Sequence, residues 1–479
     1  MLAARLSVEM DKFAVRTLRL RAFLRAFEDG FPEEYYDALA RLEEGTKTDA
    51  VIEAMKDAYP ARWKAAEDEV LQLKLGEPGV FDLLAERLDR IRLSHAGETI
   101  LIGGPPCQAY SLVGRSRNRG KRDYVPENDA RHYLYREYVA ILERLRPAAF
   151  VMENVKGILS SRVDGGPIFS RILEDLQTAA ASDGGYKLMC VKSPRRPDEE
   201  LIDARDFLVR AEDYGVPQKR HRVFIVGIRS DRVRIDHGHS LDLPEKPGVS
   251  VDDVLSGLPP VRSGLSRKDT EKRWADAVKR QIKLISKAPD SCPEAVRSIE
   301  TILRDDFSRD LLRESGQYPA QNRDVQGDLG QWLRDEYLHI LPQHDTRGHI
   351  PGDLGRYLYA AAYATENARS PKLFEFPAKL QPKHKNRKTG KFADRFRVQL
   401  AGDASTTITS HIAKDGHYYI HPDPRQCRSL TVREAARLQT FPDNYLFCGP
   451  RTEQYRQVGN AVPPFLARQI AQALVDMLA

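Results

Sequence analysis

The sequence predicts an α/β protein organised on an open, doubly wound, mostly parallel sheet. Three observations carry the prediction. Short apolar runs at 99–102 (rich in β-branched residues), 148–152 and 222–228 have the composition of strands buried on both faces. Amphipathic runs of helical period, at 132–145 and 168–180, alternate with them. Gly103, Gly104, Pro105 and Pro106 stop the first run abruptly. That stop sets Cys107 just past the carboxyl end of a strand, where open α/β sheets bind ligands. A single cysteine in a tight turn is ordinarily an inert core residue, so the rest of the chain decides its meaning.

Composition narrows the classes. The 479 residues suffice for two domains or three, and 41% hydrophobic with 30% charged residues describes a soluble globular chain. Five cysteines are scattered without a CxxC pair. This argues against a zinc site or a disulfide framework and fits a reducing cytosol. The sequence has no stretch of about 18 apolar residues and no apolar leader, so neither a membrane helix nor a signal peptide is expected. A formal net charge of +6 suits a polyanionic partner.

Taken in order, residues 5–9 form a short strand ending at Glu9. Asp11 then opens a helix to about Phe27, with Phe13, Thr17, Leu20 and Phe23 at helical spacing. Residues 28–95 read as charged helices broken at Gly76–Gly79, a packing insertion without chemistry. The basic run from Arg115 to Arg122 follows Cys107 and is a solvated loop or a mobile segment that meets phosphates. The strand at 148–152 ends in Glu153-Asn154-Val155, and Gln218-Lys219-Arg220-His221-Arg222 immediately precedes the next strand. From about 235 to 400 the periodicity is poor, with loops and polar helices. Between Lys372 and Arg397 nine Lys or Arg face two acids, with Phe374, Phe376, Phe392 and Phe396 interleaved. That pattern is either a nucleic-acid-facing surface or a merely solvated basic segment. Thr431 and Glu434 make a capping box opening a helix to about Gln439, and Pro464 starts the closing helix to Leu478.

A thiol, a carboxyl and two guanidiniums at strand ends suggest covalent catalysis on an electron-poor ring. Singly, Glu153 is more ordinarily a salt-bridged carboxylate, and Arg220 or Arg222 a surface charge. Together they resemble the DNA cytosine-5 methyltransferase family. Gly103-Gly104-Pro105-Pro106-Cys107-Gln108 resembles its nucleophile motif, and Met152-Glu153-Asn154-Val155 its ENV motif. Gln218-Lys219-Arg220-His221-Arg222, preceded by Tyr214-Gly215-Val216-Pro217, is similar to its QxRxR motif. The segment from Arg428 to Pro442 resembles the one that follows its target recognition domain. Gln457-Val458-Gly459-Asn460 onward resembles its last motif, and Val8-Glu9-Met10-Asp11 its ribose-binding strand end. The likeness covers most of 1–230 and 400–479, in the family's order.

The resemblance implies a Rossmann-like, S-adenosylmethionine-dependent methyltransferase with a mixed sheet, flanking helices and a second, smaller irregular domain. Residues 1–234 would be the catalytic domain, 235–400 the target recognition domain, and 401–479 a part returning to the catalytic domain. It also implies a mechanism. Cys107 adds to C6 of a flipped cytosine in double-stranded DNA, and Glu153 serves N3. Arg222 and Arg220 hold the O2 side, and C5 takes the methyl group. Glu9 would bind ribose, Met10 the adenine (where an aromatic is commoner in the family), and Pro106, Asn460 and Val462 would line the cofactor site. Gln108, Ser111, Arg115, Arg117, Lys385 and Arg387 would meet DNA. The implied setting is a bacterial restriction–modification system, with a cognate endonuclease and a monomeric, cytoplasmic, metal-free enzyme at the nucleoid. The alternatives are an RNA cytosine-5 methyltransferase and a catalytically dead DNA-binding homologue. The family's first Phe-x-Gly-x-Gly motif is expected roughly 20–30 residues before Glu9, ahead of Met1. A start set too far downstream would explain that, with a truncated or split enzyme as alternatives. The adenine-binding acid stays unassigned, since Asp82 and Asp89 both fit poorly.

Overall fold

The computed structural model describes residues 3–42, 48–95, 97–105, 134–163, 166–192, 203–233, 239–304, 311, 313, 325–382 and 393–478. The chain opens with β1 (Ser7–Glu9) and α1 (Lys12–Arg25). Asp11 caps α1 by accepting from the Phe13 and Ala14 amides, both at 2.9 Å. Helices α2 (Glu33–Ala40), α3 (Asp49–Ala58) and α4 (Pro60–Glu69) follow. The region expected to be helices alone then yields β2 (Val70–Gln72), parallel to β1 in the register Ser7↔Val70 to Glu9↔Gln72. Leu71, Leu73 and Leu75 alternate with Gln72 and Lys74. This is a period-two signal too short to stand out beside four helices. Helix α5 (Val80–Ser94) completes the layer.

The main sheet holds β3 (Ile100–Gly103), β4 (Ala149–Val155), β7 (Tyr186–Met189), β8 (Leu208–Arg210) and β10 (His221–Arg229). Between these lie α6 (Leu134–Leu145), the hairpin β5 (Arg162–Val163) and β6 (Gly166–Pro167), α7 (Ile168–Thr178) and β9 (Gln218–Lys219). The order is β3-β4-β10-β7, with β8 also on β10. Only β3 and β4 run parallel, whereas β10 is antiparallel to β4, β7 and β8. The sheet is therefore mixed, as the resemblance implies, and the mostly parallel arrangement read from the alternation of strands and helices is corrected. A strand covered on both faces gives a continuous apolar run whichever way it points.

Both faces are covered. Phe150, Met152, Val223 and Ile225 pack under α6 and α7, and Ala149, Val151, Phe224 and Val226 face the other way. The second face is closed by Leu466, Ile470 and Leu474 of α15 (Pro464–Leu478). Gly227 is needed for close approach, since a Cβ there would lie 2.1 Å from the Phe150 ring. Val8, Leu71 and Leu101 share a further core with α5 and α6, yet no ladder among the described residues joins β1 and β2 to β3.

The stretch after 235 is more regular than its sequence suggests. It contains α8 (Val251–Leu255), β11 (Gly264–Leu265), α9 (Glu271–Ser286), α10 (Pro293–Arg304), α11 (Gly327–Leu333), β12 (Gly348–His349) and α12 (Pro351–Asn367). Helix α9 buries Trp274, Ala277, Val278, Ile282 and Ile285 at the spacing of one helical face. These pack with Tyr357 and Tyr359 of α12. Phe376 and Phe396, read above as part of a basic aromatic surface, belong to the same core, and Phe374 alone of the described three is exposed. Phe392 lies outside the described residues.

The chain then returns through β13 (Ser405–Thr406), parallel to β9, to α13 (Val432–Leu438) and α14 (Arg451–Asn460). The capping box forms: Thr431 Oγ1 accepts from the Glu434 amide at 3.2 Å, and Glu434 accepts from the Thr431 amide at 2.7 Å. Two histidines beside it are held neutral. His344 bridges Thr431 Oγ1 and the Pro259 carbonyl, each at 2.9 Å, a pattern that suits the neutral ring with its proton on Nε2. Burial pushes His344 and His421 down to about 4. Their unfolded counterparts titrate near 6.5, so the unfolded chain takes up protons first as pH falls. Stability is expected to be full above about pH 6.5 and to drop towards pH 4, by about 1.4 kcal/mol per pH unit for each histidine. Thermal melts at pH 7 and pH 5 check this, and an equal or higher Tm at pH 5 would refute it.

Candidate active site

The antiparallel pairing of β4 with β10 brings two sequence-distant strand ends together. Glu153 lies opposite Phe224, and Arg222 opposite Val155. Glu153 and Arg222 thereby reach the same face, with Arg222 Nε 3.0 Å from Glu153 Oε1. Both side chains are largely buried, at 20% and 16% exposure. Burial raises the Glu153 carboxyl above its ordinary range, against the opposing pull of Arg222 and Arg220. The result is a carboxyl that holds a proton more readily than a surface glutamate, clamped by a guanidinium.

The end of β3 runs directly past this carboxyl. A Cβ on Gly104 would stand 3.1 Å from Glu153 Oε2, and one on Gly103 would stand 2.8 Å from the Tyr138 ring. The two glycines that end the strand are thus a steric requirement for carrying the chain between Tyr138 and Glu153. Gly104 stands three residues before Cys107. Pro106, Cys107, Gln108, Ser111, Arg115, Arg117, Lys385 and Arg387 lie outside the described residues.

Arg220 sits differently from Arg222. It is 2% exposed, and its Nη1 donates to the Ile408 carbonyl at 2.8 Å and its Nη2 to the Gly459 carbonyl at 3.3 Å. Burial, helped by repulsion from Arg222, lowers it to about 9. Gln218 makes a similar bridge: its amide accepts from Ile408 N at 2.7 Å and donates to the Leu438 carbonyl at 3.1 Å. Sequence reading missed both partners, which lie 188 to 239 positions away. His221, on the opposite face, pairs with Glu212 at 2.7 Å.

The residues expected at a cofactor occupy the ends of α1 and α14. Glu9 Oε1 accepts from the amides of Met10 and Asp11 at 2.7 and 2.8 Å, which leaves Oε2 to accept from a ligand. Met10 beside it is 59% exposed, an apolar side chain without cover. Leu73 N donates to the Glu9 carbonyl at 3.0 Å, so the chain leaving β2 borders this end. Asn460 is exposed at the last residue of α14, and Val462 packs at the edge of the core closed by α15. A carboxylate oxygen without a hydrogen bond among the described residues, next to an uncovered apolar side chain, suits a nucleoside, with a diol for the acid and a base for the thioether.

Comparison with known proteins identifies the family of the chain. The family model described as C-5 cytosine-specific DNA methylase matches residues 87–476. A type II methyltransferase, M.Bpa9945I of Bacillus paralicheniformis, is 33% identical over 98% of this chain and 93% of its own length. The DNA (cytosine-5-)-methyltransferase M.ApeKI of Aeropyrum pernix is 29% identical over 82% of this chain and 84% of its own. Among solved structures, a prophage-encoded methyltransferase from Escherichia coli matches 99% of this chain and 94% of its own with a TM-score of 0.50. At 19% identity that match speaks for the fold.

Proposed function

The chain belongs to the C-5 cytosine-specific DNA methylase family, and from this premise we propose how its residues methylate DNA. The protein is a DNA (cytosine-5-)-methyltransferase of the type II kind. The observation that carries the chemical reading is the buried Glu153–Arg222 pair under Gly104.

Cytosine C5 is a weak nucleophile. Addition of the Cys107 thiolate to C6 pushes electron density onto C5 and N3. The proton held by the raised Glu153 carboxyl is delivered to N3, so the adduct forms without a bare negative charge on the ring. Arg222 keeps the carboxyl aimed and offers its remaining N–H groups to the base's O2. Arg220 spends its terminal nitrogens on the Ile408 and Gly459 carbonyls. We therefore assign it to the wall that carries Arg222. S-adenosylmethionine, when bound, supplies the electrophilic methyl group that C5 takes. Transfer of the C5 proton to water and return of the N3 proton to Glu153 then re-form the C5–C6 double bond, expel the Cys107 thiolate and restore the acid. Glu9 and Met10 would hold its nucleoside end, and Pro106, Asn460 and Val462 would line the remainder.

The target base leaves the duplex to reach so enclosed a carboxyl. Gln108, Ser111, Arg115 and Arg117 are placed by the chain next to Cys107, and Lys385 and Arg387 belong to a basic stretch in the helical region after 235. We propose them as contacts to the DNA backbone. We further propose action as a monomer in the bacterial cytoplasm, beside an endonuclease of the same specificity. No helix among the described residues is long and apolar enough to cross a membrane.

Bisulfite sequencing of DNA from a host without cytosine methylation, expressing this chain, tests the reading. Protected cytosines confined to one short sequence context are expected. A pattern no different from a host expressing Cys107→Ser would overturn it.

A further inference from the structure

Between the two proposed halves of the cofactor site lies a closed ring of three hydrogen bonds. The Thr17 hydroxyl donates to Gln457 Oε1 at 2.6 Å. The Gln457 amide donates to the Cys448 carbonyl at 2.9 Å. The Cys448 N–H returns to Thr17 Oγ1 at 2.8 Å. Thr17 and Cys448 are 3% and 0% exposed, so neither can exchange its partner for water. Gly449, the next residue, is at φ +93°, and a Cβ on it would stand 2.5 Å from Phe13. The turn after Cys448 thus lies flush on the first turns of α1.

Each arm of this ring leads to a proposed cofactor residue. On one side, Glu9 and Asp11 fasten their own carboxylates to the amides that start α1. Thr17 sits less than two turns further along the same helix. On the other, Gln457 precedes Asn460 by three positions on α14, one turn along the helix. Beyond Asn460's neighbour the chain is clamped again, since a Cβ on Gly459 would lie 2.3 Å from the Ser410 nitrogen. The ring therefore ties α1, which Glu9 precedes, to α14, which ends in Asn460.

We propose that Thr17 and Gln457 are positioning residues for S-adenosylmethionine, setting the span between its two binding ends without touching it. This rests on the assignment of Glu9 and Asn460 made above. Thr17→Val keeps the shape but leaves the Gln457 oxygen and the Cys448 N–H without partners. The full chain is used, and the equilibrium dissociation constants for S-adenosylmethionine and for a DNA duplex are measured separately. Thr17→Val is expected to raise the cofactor constant about tenfold with the duplex constant unchanged. Thr17→Ser, which keeps the hydroxyl, is expected to restore it. Gln457→Met is the second probe if Thr17→Val does not fold, with the same result expected. An unchanged cofactor constant in a folded variant overturns the proposal, as does a parallel loss of cofactor and duplex binding. Glu9→Gln separates the two levels. If it weakens cofactor binding while Thr17→Val does not, the positioning role alone fails. If Glu9→Gln leaves binding unchanged, or the parent chain binds no cofactor, the site assignment fails and takes the proposal with it.

Discussion

Glu153→Gln is expected to lower methyl transfer by about 10²–10⁴-fold while duplex binding persists. The amide has the size and shape of the acid and can still accept from Arg222 Nε, now 3.0 Å from the carboxylate. It cannot deliver a proton to N3, so the thiolate adduct would carry its charge unrelieved in a buried site. Burial is the leading cause of the raised Glu153 carboxyl, so its protonated form is the one lost as pH rises. The parent enzyme is expected to lose its first-turnover rate as pH rises past the raised titration of this group, and Glu153→Gln to lack that limb. Single-turnover transfer of labelled methyl groups, with gel-shift measurement of duplex binding, checks both. A variant retaining more than about one tenth of the parent rate would remove Glu153 from acid catalysis.

Arg437→Met is expected to cost about 3–5 kcal/mol of stability. Arg437 and Asp443 are fully buried and paired twice, Nε to Oδ1 at 2.9 Å and Nη2 to Oδ2 at 2.7 Å. Arg437 Nη1 also donates to the Val254 carbonyl at 2.9 Å, tying α13 to α8. Removing the guanidinium leaves Asp443 charged in an environment that offers water no entry. The double replacement Arg437→Met, Asp443→Leu removes both charges and is expected to recover most of the loss. Urea unfolding of the parent, the single and the double variant measures it. If the single variant falls by less than about 1 kcal/mol, the pair is not structurally decisive.

How much of this was legible beforehand depended on how local the cause was. Glu153 and Arg222 could be placed because each follows or opens an apolar strand run, and a strand end is a local event. The Thr431–Glu434 box and the Asp11 cap were equally local. Strand direction was not legible: the run 222–228 has the same composition whether it lies parallel or antiparallel to β4. The role of Arg220 was illegible for a different reason, because its partners are backbone carbonyls, which every residue carries and no side chain advertises. Helix α9 was not singled out although its apolar spacing is regular, because charged residues such as Lys279, Arg280 and Lys283 fill the positions between and dilute the run. Phe376 and Phe396 were misread for the converse reason, their basic neighbours drawing attention from the core they fill.

The long separation between partners has a consequence for how the protein comes to exist. Thr17 and Gln457 are 440 positions apart. A ribosome adding about 5–20 residues per second needs about 20–90 s to deliver the second after the first. Throughout that interval α1 has emerged without the surface formed by Leu446, Cys448 and Gln457 that later covers it. Arg220 likewise waits for Gly459. The nascent chain therefore carries an unfinished catalytic wall until its last residues are made, and the wall and the α1 junction both wait for that same segment. Methylation of DNA by this chain can therefore begin only after its translation is almost complete.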